Sequence, residues 1–524
     1  MASNQDSEAA RPPGAPSGRQ AAAVVALVLL MVAALVQWLL LSARRRLTGP
    51  SPPGPRGWPL LGNALQLGGA PHLGLARLAR RFGPVLRLRL GRWPVVVLSG
   101  ERAIRQALVQ QAVAFAGRPP FASFAEVSGG NSLAFGRYSD TWRERRRGAQ
   151  HILRAFCGRS ALEAHVRAEA RELVALLVRG GAAGSDPGPP SVVAAANVMS
   201  AVCFGCRYSH DDAEFRALLS HNAEFGRVVG AGSLLDVLPW LRRFPNPARR
   251  AFQRFQQLNR DFSRFVRDKL VSHRARLCPG SVPRDLLDAF LLAHGADDED
   301  VLSTVTDIFG ASQDTLSTAL QWLLILLTRY PDVQARLQEE LDHVVGRGRL
   351  PSLEDQPQLP YVTAFLAEAM RFSSFVPVTI PHATTASASV LGYHIPKDTV
   401  IFVNQWSVNH DPVKWPQPDT FDPGRFLNEA GQVDKDLVSS VLIFSVGRRR
   451  CIGEELARLQ MFLFLSILAH QCHFRALPDG PESLDFHYGL TIKPKAFRVQ
   501  VQLRESMELL DRAVEMLLDD EDGQ

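Results

Sequence analysis

The residues best suited to chemistry lie in one ten-residue stretch, FSVGRRRCIG, from Phe444 to Gly453. At its centre is Cys451, whose side chain can become a soft anionic metal ligand. Gly447 permits a turn with positive φ, and Gly453 removes a side chain where it would press on a flat cofactor. The spacing predicts a helix from Ile452 onward. Its first N–H groups have no partner inside the helix, so they would point back at the sulfur and favour thiolate over thiol. A thiolate bound axially to haem iron pushes electron density onto the metal and favours O–O cleavage. Phe444 would keep water off the sulfur, and Arg449 is placed to meet a haem propionate with a charge-assisted hydrogen bond. A lone cysteine beside a helix start is otherwise an inert core residue. The pattern F-x-x-G-x-x-x-C-x-G arises by accident in about one such chain in a thousand, which decides for the ligand reading.

The loop needs a scaffold, and the longest element able to face it runs from near Asp298 to the stop at Pro331. This segment is apolar nearly all round, as a buried helix should be. Gly310, Ala311 and Ser312 weaken its middle, and the Thr315 hydroxyl can bond back to the preceding turn. Asp314 stands next to it. A buried acid beside a hydroxyl is costly unless water or protons pass there. Earlier in the chain, Trp142 and Arg146 are four residues apart behind a Ser139 or Asp140 cap, so both project from one helical face.

The ligand loop, W-x-x-x-R, E-x-x-R at Glu368 and Arg371, and TFDPGRF with Arg425 together resemble the cytochrome P450 family over about Pro52 to Leu510. DIFGASQDTLSTALQW and FSSFVPVTIPHATT are similar to family 1, subfamily B. The resemblance implies a mainly α fold with small β-sheets (α+β), preceded by a single transmembrane helix. It implies haem b held by the Cys451 thiolate as iron ligand, with Arg449, Trp142, Arg146, Arg118 and His382 on the cofactor. Asp314 and Thr315 would relay protons. Phe121, Phe124, Ala134 and Phe135 would roof a substrate pocket also bordered by Asn222, Phe225, Gly310, Ala311, Val376 and Leu490. The competing reading of the roof aromatics is a satellite hydrophobic cluster. Ser312 stands where many members carry Gly. Glu368, Arg371 and Arg425 would lock the fold without touching the chemistry.

A family member of this type takes electrons from NADPH through NADPH-cytochrome P450 reductase, in some reactions with cytochrome b5. It hydroxylates or epoxidises flat lipophiles: polycyclic aromatics, oestrogens and other steroids, retinoids, polyunsaturated fatty acids. A haem-thiolate isomerase or lyase, or a haem sensor or carrier, are the alternatives. Asp314 and Thr315 count against the former as a sole activity, and an apolar pocket against the latter.

The remaining sequence bounds this picture. With 524 residues, 46% hydrophobic and 21% charged, the chain can bury a large core. The net charge of +7 falls in short clusters with no nucleic-acid-binding signature, so a membrane surface or an acidic partner is expected. Arg143, Arg145, Arg147, Arg448 and Arg450 form a basic surface for that partner. Six scattered cysteines suit a reducing compartment. Residues 1–20 form a short lumenal end, and Ala21 to Leu41 run uncharged for long enough to cross a bilayer. Segment 42–57 combines the Arg44, Arg45, Arg46 stop-transfer cluster with a proline hinge. The catalytic domain is expected at 58–510, in the cytosol on the endoplasmic reticulum membrane, and an acidic tail at 511–524; a minor mitochondrial pool is left open.

Overall fold

The computed structural model describes Val32, Val36 and residues 49–522, leaving out 157–158, 231–233, 279, 281, 295–296 and 478–483. The expected anchor at 21–41 therefore lies outside the described residues, apart from two isolated positions. Among the described residues no helix is long and apolar enough to cross a membrane. The chain divides into a small unit, Met1–Ser51 with Gly392–His394, and a large one, Pro52–Leu391 with Ile395–Gln524. In the small unit the His394 amide donates to the Pro50 carbonyl at 2.9 Å.

The large unit is mainly helical. Seven helices position its site: α1 (Asp140–Phe156), α2 (Arg159–Val178), α3 (Gly188–Phe204), α4 (Pro247–Arg276), α5 (Asp298–Arg329), α6 (Pro360–Ser373) and α7 (Glu454–Gln471). At 1.5 Å per residue α5 is about 48 Å long and crosses the whole unit. It starts where the Asp297 carboxylate accepts from the Asp300 amide, and Asp298, Glu299 and Asp300 place negative charge at the positive end of its dipole. It stops at Tyr330 because Pro331 cannot continue it. Its apolar surface packs against α3, α4 and α7.

α1 begins with the Ser139 hydroxyl accepting from the Trp142 amide, which selects Ser139 over Asp140 as the cap. α6 has no side-chain cap of its own. The Glu340 carboxylate, from the neighbouring helix, accepts from the Tyr361 and Val362 amides at 2.8 and 2.9 Å. This satisfies two of the donors every helix start leaves open.

The main sheet has β1 (Val85–Leu90), β2 (Trp93–Ser99), β3 (His382–Ala383) and β4 (Val400–Asn404) in the order β1-β2-β4-β3. β1 and β2 are antiparallel with Leu88 opposite Val95, whereas β2 and β4 run parallel with Val97 opposite Phe402. The turn between β1 and β2 is tight. Trp93 and Pro94 already belong to β2, because Gly91 at φ 54° reverses the chain within two residues. The acidic tail is helical, with Glu508–Asp522 lying against α2. Leu510 is fully buried and Asp511 pairs with Arg171 at 2.9 Å, so the boundary expected at 510 falls inside a docked element.

Candidate functional site

The cysteine loop folds as its glycines require. Gly447 has φ +80°, and a Cβ there would lie 1.9 Å from the Leu108 carbonyl oxygen. Gly447→Ala combines a left-handed L-residue with a backbone clash, on the order of 3 kcal/mol. We expect it to yield protein that fails to retain haem, read as the ratio of haem to protein absorbance after purification; full loading would show that the loop tolerates a shift.

The helix after Cys451 starts later than expected. α7 begins at Glu454, with Gly453 as its N-cap, and Cys451 and Ile452 lie in the preceding turn. The Cys451 amide donates to the Phe444 carbonyl at 2.8 Å, which closes the loop. The protein alone does not favour thiolate here. Crowding of protein atoms around the sulfur pushes the Cys451 thiol up although the residue keeps an exposed surface, and the Gly453 amide, Arg146 and Arg450 only partly pull it back. A metal coordinated there would deprotonate such a thiol outright, and Arg146, Arg450 and the Gly453 amide would then stabilise the thiolate. A Cβ at Gly453 would meet no protein atom within 4 Å, and both Cys451 and Ala311 are exposed.

Beside this loop three guanidinium groups converge. Arg449 is buried and donates to the carbonyls of Ala116 (2.8 Å), Leu133 (3.1 Å) and Gly136 (2.8 Å), and its guanidinium lies 3.8 Å over the Trp142 ring. Arg118 donates to Ala134 at 2.8 Å, to Ile380 at 2.8 Å and to Pro381 at 2.9 Å. Arg146 donates to the Arg450 carbonyl. His382 is buried, with Nδ1 2.8 Å from the Phe115 carbonyl oxygen. The Trp142 indole N–H, expected on a propionate, donates to the Leu133 carbonyl at 3.0 Å.

These partners are all neutral, and among the described residues none of the three arginines makes an ion pair. Burial together with mutual repulsion pushes Arg118 down to about 9, and Arg449, facing Arg118 and Arg146, down to about 7. A guanidinium keeps its proton in proteins, so three like charges this close, bonded only to carbonyls, leave a demand for negative charge. A dicarboxylate cofactor fits that donor set: Arg118, Arg146 and Arg449 would hold its propionates and Cys451 its iron.

On α5 the Thr315 hydroxyl donates to the Ala311 carbonyl at 2.8 Å, and the helix continues unbroken through it. Asp314 turns to the terminal hairpin, where Lys493 Nζ lies 2.5 Å away and the Thr491 hydroxyl donates at 2.7 Å. Its burial is thus offset by an ammonium, and burial alone does not argue for proton traffic. Sequence reasoning missed Lys493 and Thr491, although KPK after YGLT marks a cationic strand end.

The roof residues Phe121, Phe124 and Phe135 stack edge-on, with ring centroids 5.2 and 5.0 Å apart. They belong to a second apolar cluster that includes Leu86, Val97 and Phe255, distinct from the main core around α5. Their segment contains a one-turn helix, Ala122–Glu126. Ala134, Val376 and Leu490 are half-buried. Asn222 and Phe225 fall on the helix Ala213–Gly230, and their side chains lie outside those described.

Glu368 and Arg371 pair at 2.6 Å, both fully buried, with Arg425 3.5 Å from Glu368. The basic surface is smaller than the sequence implies. Arg145 is taken by Asp300 at 3.1 Å and by the Ser303 hydroxyl, and Arg143 by Asp140. A cavity of about 220 Å³ remains, lined by Trp142, Arg143, Arg146, Arg147, Arg448 and Arg450 among others.

A sequence model of the cytochrome P450 family matches residues 52–501. The chain belongs to the cytochrome P450 family. It is 66% identical to cytochrome P450 1B1 of Homo sapiens over 91% of this chain and 92% of that protein. Identity to cytochrome P450 1B1 of Mus musculus is 64%, over 93% of each. Cytochrome P450 1A1 of Cavia porcellus is 45% identical over 84% of this chain and 89% of its own length. These likenesses place the P450 in family 1, subfamily B type, and make it a monooxygenase that uses haem on a cysteine thiolate and electrons from a redox partner.

Proposed function

We propose that this P450 is a microsomal enzyme of the endoplasmic reticulum membrane, reduced by NADPH through NADPH-cytochrome P450 reductase, with cytochrome b5 as an accessory donor. It inserts one oxygen atom into flat lipophilic substrates of the polycyclic aromatic, oestrogen, retinoid and polyunsaturated fatty acid classes. The observation that carries the reading is the convergence of three uncompensated guanidinium groups on the Cys451 loop, which suits a dianionic cofactor. Haem bound there supplies the activation of dioxygen.

The chain's own residues do the rest. Arg118, Arg146 and Arg449 orient the cofactor through its propionates, with His382 beside them. The Trp142 ring backs Arg449. Thr315 offers its oxygen lone pairs to the cleft while its proton rests on Ala311, and a turn of the O–H bond lets it donate. Asp314, tied to the partly exposed Lys493, links that hydroxyl's turn of helix to solvent. Ala311 supplies a small surface for a flat ring, and Gly310 and Val376 border it. Arg147 and Arg448, which make no ion pair among the described residues, give an acidic electron donor its first contacts.

Thr315→Ala is expected to keep substrate binding but lose coupling. NADPH consumption should continue while product per NADPH falls by about tenfold and peroxide appears. Simultaneous measurement of NADPH, peroxide and product decides this, and unchanged coupling removes Thr315 from the relay. The substrate class is tested by comparing reductase-supported turnover of a planar polycyclic aromatic with that of a globular hydrocarbon of equal hydrophobicity; equal rates would refute the flat pocket.

A further inference from the structure

Beyond its acidic first turn, helix α5 carries a second carboxylate besides Asp314, Asp307, two turns earlier and therefore near the same face. The oxygen chemistry does not use it. Its carboxylate instead takes donors from one segment, Val127–Phe135: the Ser132 hydroxyl at 2.8 Å, the Ser128 hydroxyl at 3.2 Å, the Ala134 amide at 3.3 Å and the Leu133 amide. Three of these donors meet Oδ2, and the Ser128 hydroxyl meets Oδ1. Burial holds Asp307 above the ordinary carboxylate range, and these donors draw it back.

The segment needs such a hold. Ser128 and Gly129 both sit in the left-handed region, at φ 50° and 59°, which costs an L-residue such as Ser128 free energy. The Ser132 hydroxyl also accepts from the Ala134 and Phe135 amides at 3.1 and 3.0 Å, so the hold passes to the roof aromatic. The next two carbonyls reach the cofactor side. Leu133 receives Trp142 and Arg449, and Ala134 receives Arg118.

We infer that Asp307 is a positioning residue that clamps Val127–Phe135 onto α5, fixing at once the aromatic roof and the carbonyls that aim Arg118 and Arg449. The roof half rests on the flat-substrate reading; the clamp does not. Asp307→Ala removes every one of these acceptors, whereas an Asn could keep its oxygen on the Ser132, Leu133 and Ala134 donors and turn its NH₂ to the Ser128 hydroxyl, which can accept.

The test uses the full-length, haem-loaded protein. Amide hydrogen exchange within 127–135 should quicken by at least about tenfold in Asp307→Ala, while Asp236→Ala, which frees the Ser123 amide and hydroxyl at the other end of the roof, should quicken Ala122–Glu126 instead. The spectral Kd for a rigid planar aromatic should rise about tenfold, and that for a flexible fatty acid less than about twofold. Ser132→Ala should give a smaller effect of the same pattern, and it serves if Asp307→Ala loses haem. Unchanged exchange in 127–135 overturns the clamp. Faster exchange with equal loss for both ligands supports the clamp and overturns the roof reading.

Discussion

Cys451→Ala is expected to fold and to have no monooxygenase turnover. The substitution leaves the loop's closing bond intact, because that bond joins the Cys451 amide to the Phe444 carbonyl and uses no side-chain atom. Gly447 still makes its turn against Leu108, and α7 still starts at Glu454. What is removed is the sulfur. Cys203 and Cys472 cannot replace it, since both are buried, and burial pushes the Cys472 thiol up to about 12. Far-ultraviolet dichroism should therefore match the parent, while product formation falls to background. Retained turnover would move the iron ligand elsewhere.

Glu368→Ala should act on the fold, with a comparably large effect. Arg371 is fully buried and donates to Glu368 through two nitrogens, and to the carbonyls of Asn409 and Pro418 at 2.9 Å. Glu368 also accepts from the Asp422 amide at 2.9 Å, which ties α6 to the segment carrying Arg425. Burial raises Glu368 above the usual carboxylate range despite Arg371, the Asp422 amide and Arg425. With its folded-state pKa raised, ionising Glu368 lowers stability as pH climbs through that value, so the pair is not a net source of stability at neutral pH. Removing one partner is another matter. It leaves a buried guanidinium uncompensated, at about 3–5 kcal/mol, a large share of a typical 5–15 kcal/mol. We expect Glu368→Ala to accumulate as insoluble, haem-free protein, and Glu368→Gln to be partly rescued because its oxygen still accepts from Arg371. Soluble, haem-loaded Glu368→Ala would show that the pair is dispensable.

What could be read in the sequence follows range of interaction. The long helix was legible because Asp297 to Asp300 cap it, Pro331 ends it, and its apolar run is longer than any loop tolerates. The cysteine loop was legible because Gly447 must take positive φ, and that need is local. The helix expected from Ile452 begins two residues later, at Glu454, since the turn at Cys451 is set by its bond to Phe444. Pairings across the fold left little mark. Asp314 looked like an acid awaiting protons, yet Lys493, nearly 180 residues on, meets it. Arg145 looked solvent-facing because its partner, Asp300, lies on another helix. Asp307 did leave a signal, an acid seven residues before Asp314 on an apolar helix, whose meaning depends on donors from Ser128 to Ala134.

The central claim is that Cys451 binds haem iron as thiolate within the arginine cluster. The most direct test is the absorption difference spectrum of the dithionite-reduced protein with and without carbon monoxide. A strongly red-shifted Soret band is predicted. A band at the position of imidazole-ligated or ligand-free haem, or folded protein with no haem signal, would contradict it.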